Sequence, residues 1–241
     1  MKKENQAYNI QPAERLQSVS EYYFSRKLKE VAQMNAEGKD VISLGIGSPD
    51  MPPSEAAIKV LCEQAQRADV HGYQPTVGIP ELRQAMSDFY QKWYGVELNP
   101  ATEIQPLIGS KEGILHVTLA FVNPGDQVLV PNPGYPTYTS LNKILGSDIV
   151  TYNQKKKKGW QPDFEALEQM DLSRVKLMWT NYPNMPTGAN ATRELYERLV
   201  EFARRKNIVI VNDNPYSFIL NKKPLSILQV SGAKECCIEF N

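Results

Sequence analysis

The sequence predicts an α/β fold, a mostly parallel sheet sandwiched by helices. Three observations carry this. Runs such as Ile208-Val-Ile-Val211 are β-branched without polar alternation, as strands buried on both faces require. Between such runs lie segments with apolar residues at helical spacing, for example Leu195, Leu199 and Phe202. Gly, Pro and Asn mark the joins, so strand and helix alternate, and that alternation closes into a parallel sheet. No internal repeat or low-complexity linker interrupts it. The expected organisation is an amino-terminal arm and helix over residues 1–50, part of a small domain, and one large domain over residues 51–241.

In order, residues 1–20 read as an arm and residues 20–37 as a helix with Phe24, Leu28 and Val31 on one face, stopped by Gly38. Residues 41–44 read as a short strand entering a turn. There Gly45 and Gly47 suit close backbone approach to a ligand, or simply a tight turn. Ser54 caps a helix carrying Ile58, Leu61 and Ala65 on one side. A Gly- and Pro-rich loop, residues 71–80, leads to a helix that opens on Pro80, buries Leu82, Met86, Phe89 and Trp93, and ends at Gly95.

Residues 103–108 read as a strand, followed by Gly109-Ser-Lys-Glu-Gly113 and a helix. Free N–H groups at a helix start attract anions, and Ser110 and Lys111 add a hydroxyl and a charge; an ordinary βα turn fits equally. After a strand at residues 127–130, three prolines in Pro131-Asn-Pro-Gly-Tyr-Pro136 fix Tyr135, as a ring-stacking platform or as core. Residues 138–145 read as a helix and 148–152 as a strand. The four lysines at 155–158 suit a solvated hairpin. Then come a short helix at 163–169 capped by Asp163, a strand at 175–179, a loop at 181–188, a helix at 192–206, the strand starting at Ile208, and a last strand at 235–240.

Composition narrows the function. The 241 residues are 41% hydrophobic, and 27 basic side chains balance 27 acidic ones, so neither nucleic acid nor a membrane surface is indicated. No apolar run follows Met1, so no leader is expected, and no stretch has the length of a membrane span. Three cysteines, Cys62, Cys236 and Cys237, read as reduced core residues of a cytoplasmic protein, the last two pointing to opposite faces of a strand. With only His71 and His116 and no cysteine cluster, zinc is not expected.

Ligands of open α/β sheets sit outside the carboxyl ends of the strands. Asp213 falls at such an end, with Tyr216 three residues on. A half-buried acid there needs a cationic partner, and the protonated pyridine nitrogen of pyridoxal 5'-phosphate (PLP) is one. A plain loop-starting cap is the structural alternative.

Taken together and in this order, these motifs resemble the class I/II aminotransferases, PLP enzymes of fold type I, from about Val41 to Phe240. The resemblance implies that backbone near Gly47 lies against the substrate carboxylate. It implies that Tyr73 reaches the cofactor phosphate of a partner subunit, hence a homodimer. Ser110 and Lys111 match the phosphate cradle, and Tyr135 the aromatic stacked on the ring. Asp213 matches the acid on the ring nitrogen and Tyr216 the hydroxyl on the phenolic oxygen. The activity implied is transfer of an amino group between an amino acid and a 2-oxo acid. The Gly-Ser-Lys-Glu-Gly loop leans toward the branch holding aspartate and LL-diaminopimelate aminotransferases.

Two departures stand out. The family reads Asn-Pro-Thr-Gly where this chain has Met185-Pro-Thr-Gly188, and a methionine donates no hydrogen bond; Asn184 substitutes only if the loop shifts. The Schiff-base lysine of the family, in a Ser-x-x-Lys motif after the strand that follows the aspartate, is absent from the 241 residues. Ser231-Gly-Ala-Lys234 precedes that strand and is rejected, as is Lys111 in the phosphate loop. No catalytic residue is therefore assigned. The expectation is the front portion of an aminotransferase, inactive alone, with an exposed sheet edge that favours poor solubility. The alternatives are a PLP-dependent carbon–sulfur β-lyase, told apart by its pyruvate and ammonia products, and a non-catalytic PLP-binding fragment. A transcriptional regulator has no room here for a helix-turn-helix.

Overall fold

The computed structural model describes residues 10–19, 21–45, 47 and 50–241. Residues 1–9 of the expected arm, the helix start expected at Ser20, and Ile46, Ser48 and Pro49 of the glycine-rich turn lie outside these. The chain forms two compact units. One is Val19–Thr76; the other joins Val77–Asn241 with the residues up to Ser18. Among the described residues no helix is long and apolar enough to cross a membrane.

The smaller unit holds α1 (Tyr23–Ala36) and α2 (Glu55–Ala65). Ser54 caps α2 as expected, its Oγ accepting from Ala57 N at 3.3 Å. The strand expected at 41–44 does not form. The Asn35 side chain takes both backbone groups of Val41, its amide donating to the carbonyl at 3.1 Å and its oxygen accepting from the N–H at 2.5 Å, so neither is left for a ladder. Cys62 is exposed rather than in a core.

The larger unit is built from α3 (Pro80–Tyr94), α4 (Ser110–Phe121), β1 (Gln127–Asn132), α5 (Pro136–Ile144), β2 (Asp148–Asn153), α6 (Phe164–Glu168), β3 (Val175–Asn181), α7 (Arg193–Lys206), β4 (Val209–Asp213) and β5 (Cys237–Phe240). Its five strands pair in the order β2-β1-β3-β4-β5, all parallel. The α/β class and the parallel sheet expected from sequence are what is found. Alternate strand residues feed two cores. Leu129, Met178 and Ile210 meet Leu195, Leu199 and Phe202 of α7. Val130, Leu177, Trp179 and Val211 meet Ile114 of α4 and Tyr138 of α5. Thr192 caps α7, and Asp163 caps α6.

Three expectations fail here. Residues 103–108 form no strand. The Glu103 carboxylate holds Asn99 N at 2.6 Å and Lys234 Nζ at 3.1 Å, and Ile108 donates its N–H to Glu112 at 2.7 Å. In α3 the buried residues are Ser87, Tyr90 and Tyr94, whereas Leu82 and Trp93 are exposed. The tyrosine face wins because its hydroxyls find partners, Tyr90 donating to Glu239 at 3.1 Å and Tyr94 accepting from Asn241 at 2.7 Å. Cys236 and Cys237 do not point apart. Cys236 precedes β5 with ψ 3°, far from an extended strand, and the two sulfurs lie 3.8 Å apart.

Candidate functional site

The register of the sheet sets the site. Asn181, Asp213 and Phe240 are aligned at the carboxyl ends of β3, β4 and β5. Asp213 is 5% exposed and accepts a hydrogen bond from the Tyr138 hydroxyl at 2.6 Å. Burial pushes its carboxyl above the usual carboxylate range, and the Tyr138 bond opposes that. Among the described residues no Lys or Arg pairs with this acid; Tyr138 is its one side-chain partner. Tyr138 is itself fixed by stacking on Trp179, 5.0 Å between centroids and 7° between planes. Burial holds its hydroxyl far above the usual phenol range, so it stays a donor.

Around this acid the loops converge. Gly134 allows the tight turn after β1, since a Cβ there would lie 2.5 Å from the Pro131 carbonyl oxygen. That turn sets Tyr135 edge-on to Tyr138 at 5.5 Å. Asn181 ties two loops together: its amide donates to the Asp213 carbonyl at 2.7 Å, and its oxygen accepts from Met185 N at 2.6 Å. Tyr216, partly buried, points its hydroxyl at Met185 Sδ, 3.7 Å away. The turn bearing Tyr216 is pinned by Asn214 N to the Phe240 carbonyl at 2.8 Å and by a short bond from Ser217 Oγ to Asn214 Oδ1.

Asn184 does not join this cluster. Its amide donates to the Asn181 carbonyl at 3.2 Å and to Gln154 at 3.3 Å, and its oxygen accepts from Thr187 at 2.7 Å. It frames the loop, and the residue facing Tyr216 is Met185. Ser110 and Lys111 are exposed in the first turn of α4, behind Gly109, which supplies no capping side chain. That turn is brought to the strand ends by Gly113: a Cβ there would lie 2.6 Å from Leu107 Cδ1 and 2.9 Å from Phe240 Cζ. Gly47 and Tyr73 belong to the smaller unit, where both are exposed. Lys234 lies before the amino end of β5, its Nζ bonding the Glu97 carbonyl at 2.6 Å and Glu103, away from Asp213.

Sequence reasoning assigned no role to Tyr138 or Asn181. Tyr138 had a signal, one helical turn after Tyr135 behind a proline-stiffened loop, so that both share a side of α5. Chemically, the cluster offers an enclosed acid with no cation beside it among the described residues, an aromatic ring beside it, a phenol hydroxyl, and a helix amino end able to receive an anion.

Comparison with known proteins follows the same lines. The family model for aminotransferase class I and II matches residues 39–238. LL-diaminopimelate aminotransferases of Dehalococcoides mccartyi and Aquifex aeolicus are 42% and 40% identical over 231 residues, 95% of this chain and 60% of each relative. Among solved structures, apo BacF from Bacillus subtilis is similar at TM-score 0.88 and 35% identity, over 96% of this chain and 59% of that one. Thermus thermophilus aspartate aminotransferase with maleate gives TM-score 0.84 at 25% identity, over 96% and 60%. The chain thus spans about 60% of the length of the curated relatives it matches.

Proposed function

The chain belongs to the class I and II aminotransferases, and on that footing we propose that it carries the cofactor-holding face of an enzyme moving an amino group from LL-diaminopimelate to a 2-oxo acid. The buried Asp213 without a cation carries the cofactor part of this reading. The relatives at 40–42% identity over 95% of the chain support the substrate. The residues present fit PLP. A protonated ring nitrogen would give Asp213 the positive partner that no Lys or Arg among the described residues supplies, and the amino end of α4 with Ser110 and Lys111 suits a phosphate. When bound, PLP supplies an electron sink for the substrate's α-carbon.

The chain's own residues would hold and orient PLP. Asp213 would hold a proton on the ring nitrogen by keeping negative charge beside it. Tyr138 keeps that carboxylate oriented and favours its ionised form. Tyr135, set edge-on to Tyr138, would cover one face of the ring. Tyr216 would offer its hydroxyl to the ring oxygen, and Met185, whose sulfur lies beside that hydroxyl, would add no donor there. Asn181 fixes the spacing between the Asp213 and Met185 backbones. Tyr73, 94% exposed, is assigned to the cofactor phosphate of a second copy in a homodimer.

The test is a panel of amino donors given to the protein isolated from its own source, with 2-oxoglutarate as acceptor. LL-diaminopimelate is expected to give the highest kcat/KM. A preference for aspartate or a neutral amino acid would overturn the substrate. Pyruvate and ammonia from a cysteine-type substrate would replace transfer by β-elimination.

A further inference from the structure

We propose that Cys236 and Cys237 form a reversible thiol-oxidation site, closing to a disulfide between neighbouring residues when a low-molecular-weight disulfide oxidises them. This site is separate from the cofactor cluster, at the opposite end of β5, and does not depend on the function proposed above. Adjacent cysteines in a regular strand face opposite sides of the sheet and cannot meet. Here Cys236 leaves the extended region, with φ −141° and ψ 3°, and the sulfurs come to 3.8 Å, in contact. Both are free thiols. Cys236 is partly exposed and Cys237 is buried.

That asymmetry assigns the roles. Cys236 is the sulfur that a dissolved reagent reaches. Burial raises both thiols. At Cys236 the contact with Cys237 and the charge of Arg204 oppose the rise while Glu235 adds to it, whereas at Cys237 the neighbouring Cys236 and Glu239 both add to it. The Cys236 thiolate attacks oxidised glutathione, forming a mixed disulfide and releasing one glutathione thiolate. Cys237 then gives up its proton and attacks the Cys236 sulfur, displacing the second glutathione. In sum, two protein thiols lose two electrons and two protons, and one glutathione disulfide becomes two glutathione thiols. A sulfur already in contact makes the second step intramolecular, so the mixed disulfide does not accumulate. Consecutive Cα atoms are closer than the usual span of a disulfide, so the ring is strained and readily reduced. Closure also disturbs the Cys236 carbonyl, which accepts from Ile210 N at 2.9 Å where β5 joins β4.

The experiment is oxidation of the folded protein with oxidised glutathione, followed by peptide mapping in a mass spectrometer. Exposed Cys62 reports that the reagent is active. The peptide bearing Cys236 and Cys237 is expected to lose two hydrogens and to recover them with dithiothreitol. Cys237→Ser, checked for native circular dichroism, is expected instead to keep glutathione on Cys236. Cys236→Ser is expected to leave Cys237 unmodified. A stable glutathione adduct on Cys236 of the wild type would overturn the proposal. So would modification of Cys62 with both neighbours untouched, or a link from Cys236 to a second chain.

Discussion

Asp213 is an acid held where charge is costly. Because burial raises its pKa, folding without cofactor disfavours its ionised form relative to the unfolded chain. The stability this gives is complete below the ordinary carboxylate range and is lost as pH rises through the raised value. Asp213→Asn removes the titration while keeping an acceptor for Tyr138. Without PLP it is therefore expected to unfold at a higher urea midpoint than the wild type at pH 7, the excess vanishing toward acid pH. An equal or lower midpoint at pH 7 would show that burial of this acid carries no penalty. Tyr138→Phe removes the bond that favours the ionised acid, so PLP binding is expected to weaken roughly tenfold, about 1.4 kcal/mol. The loss should grow as pH falls, and a titration at several pH values checks it. Met185→Asn places an amide facing Tyr216, and a donor added there is expected to tighten PLP binding by about 1 kcal/mol, roughly fivefold. An unchanged or weaker affinity would mean that the ring oxygen lies out of reach. Asp213 was legible in sequence because a strand of β-formers ends on it. Its partner Tyr138 was not, because the two are 75 residues apart and meet through the packing of α5 on the paired strands β3 and β4.

Elements were legible where one apolar pattern or one cap decided them. Helix α7 has its Thr192 cap, its inward Leu195 and Leu199, and a left-handed Asn207 after its end. The misread stretches are those where polar side chains took over the backbone or the buried face. Asn35 removed Val41 from strand pairing, and Glu103 and Glu112 did the same around residues 103–108. In α3, counting only side chains without a hydroxyl (Leu82, Met86, Phe89 and Trp93) chose the wrong face, because Tyr90 and Tyr94 bury rings while satisfying hydroxyls. Glu239 shows how far such networks reach. From the outer strand β5 it turns its carboxylate inward, accepting from Asn212 at 2.9 Å, Ile227 N at 3.1 Å and Tyr90 at 3.1 Å. It thereby joins α3, β4 and the turn at Ile227–Gln229. Glu239→Ala leaves those donors facing an apolar void and is expected to cost about 3 kcal/mol in urea unfolding. A loss below about 0.5 kcal/mol, the size of an ordinary surface change, would mean that water replaces the carboxylate.

At the scale of the molecule, one geometric fact organises the rest. A parallel sheet puts every strand's carboxyl end on one edge, so Asp213, Asn181 and the loops holding Tyr135, Met185 and Tyr216 meet there, while Lys234 is carried to the other edge. The alternation of strand and helix made this edge readable before any contact was known. What the alternation does not encode is which side chains close around the acid, since those contacts join α5, β3 and two loops distant in sequence. The most direct test is an equilibrium titration with PLP, followed by the cofactor's absorbance, on the wild type, Asp213→Ala and Lys234→Ala. Saturable binding of one PLP per chain is expected, weakened about a hundredfold or more in Asp213→Ala and unchanged in Lys234→Ala. Equal affinity in the wild type and Asp213→Ala would contradict a cofactor site built on this acid.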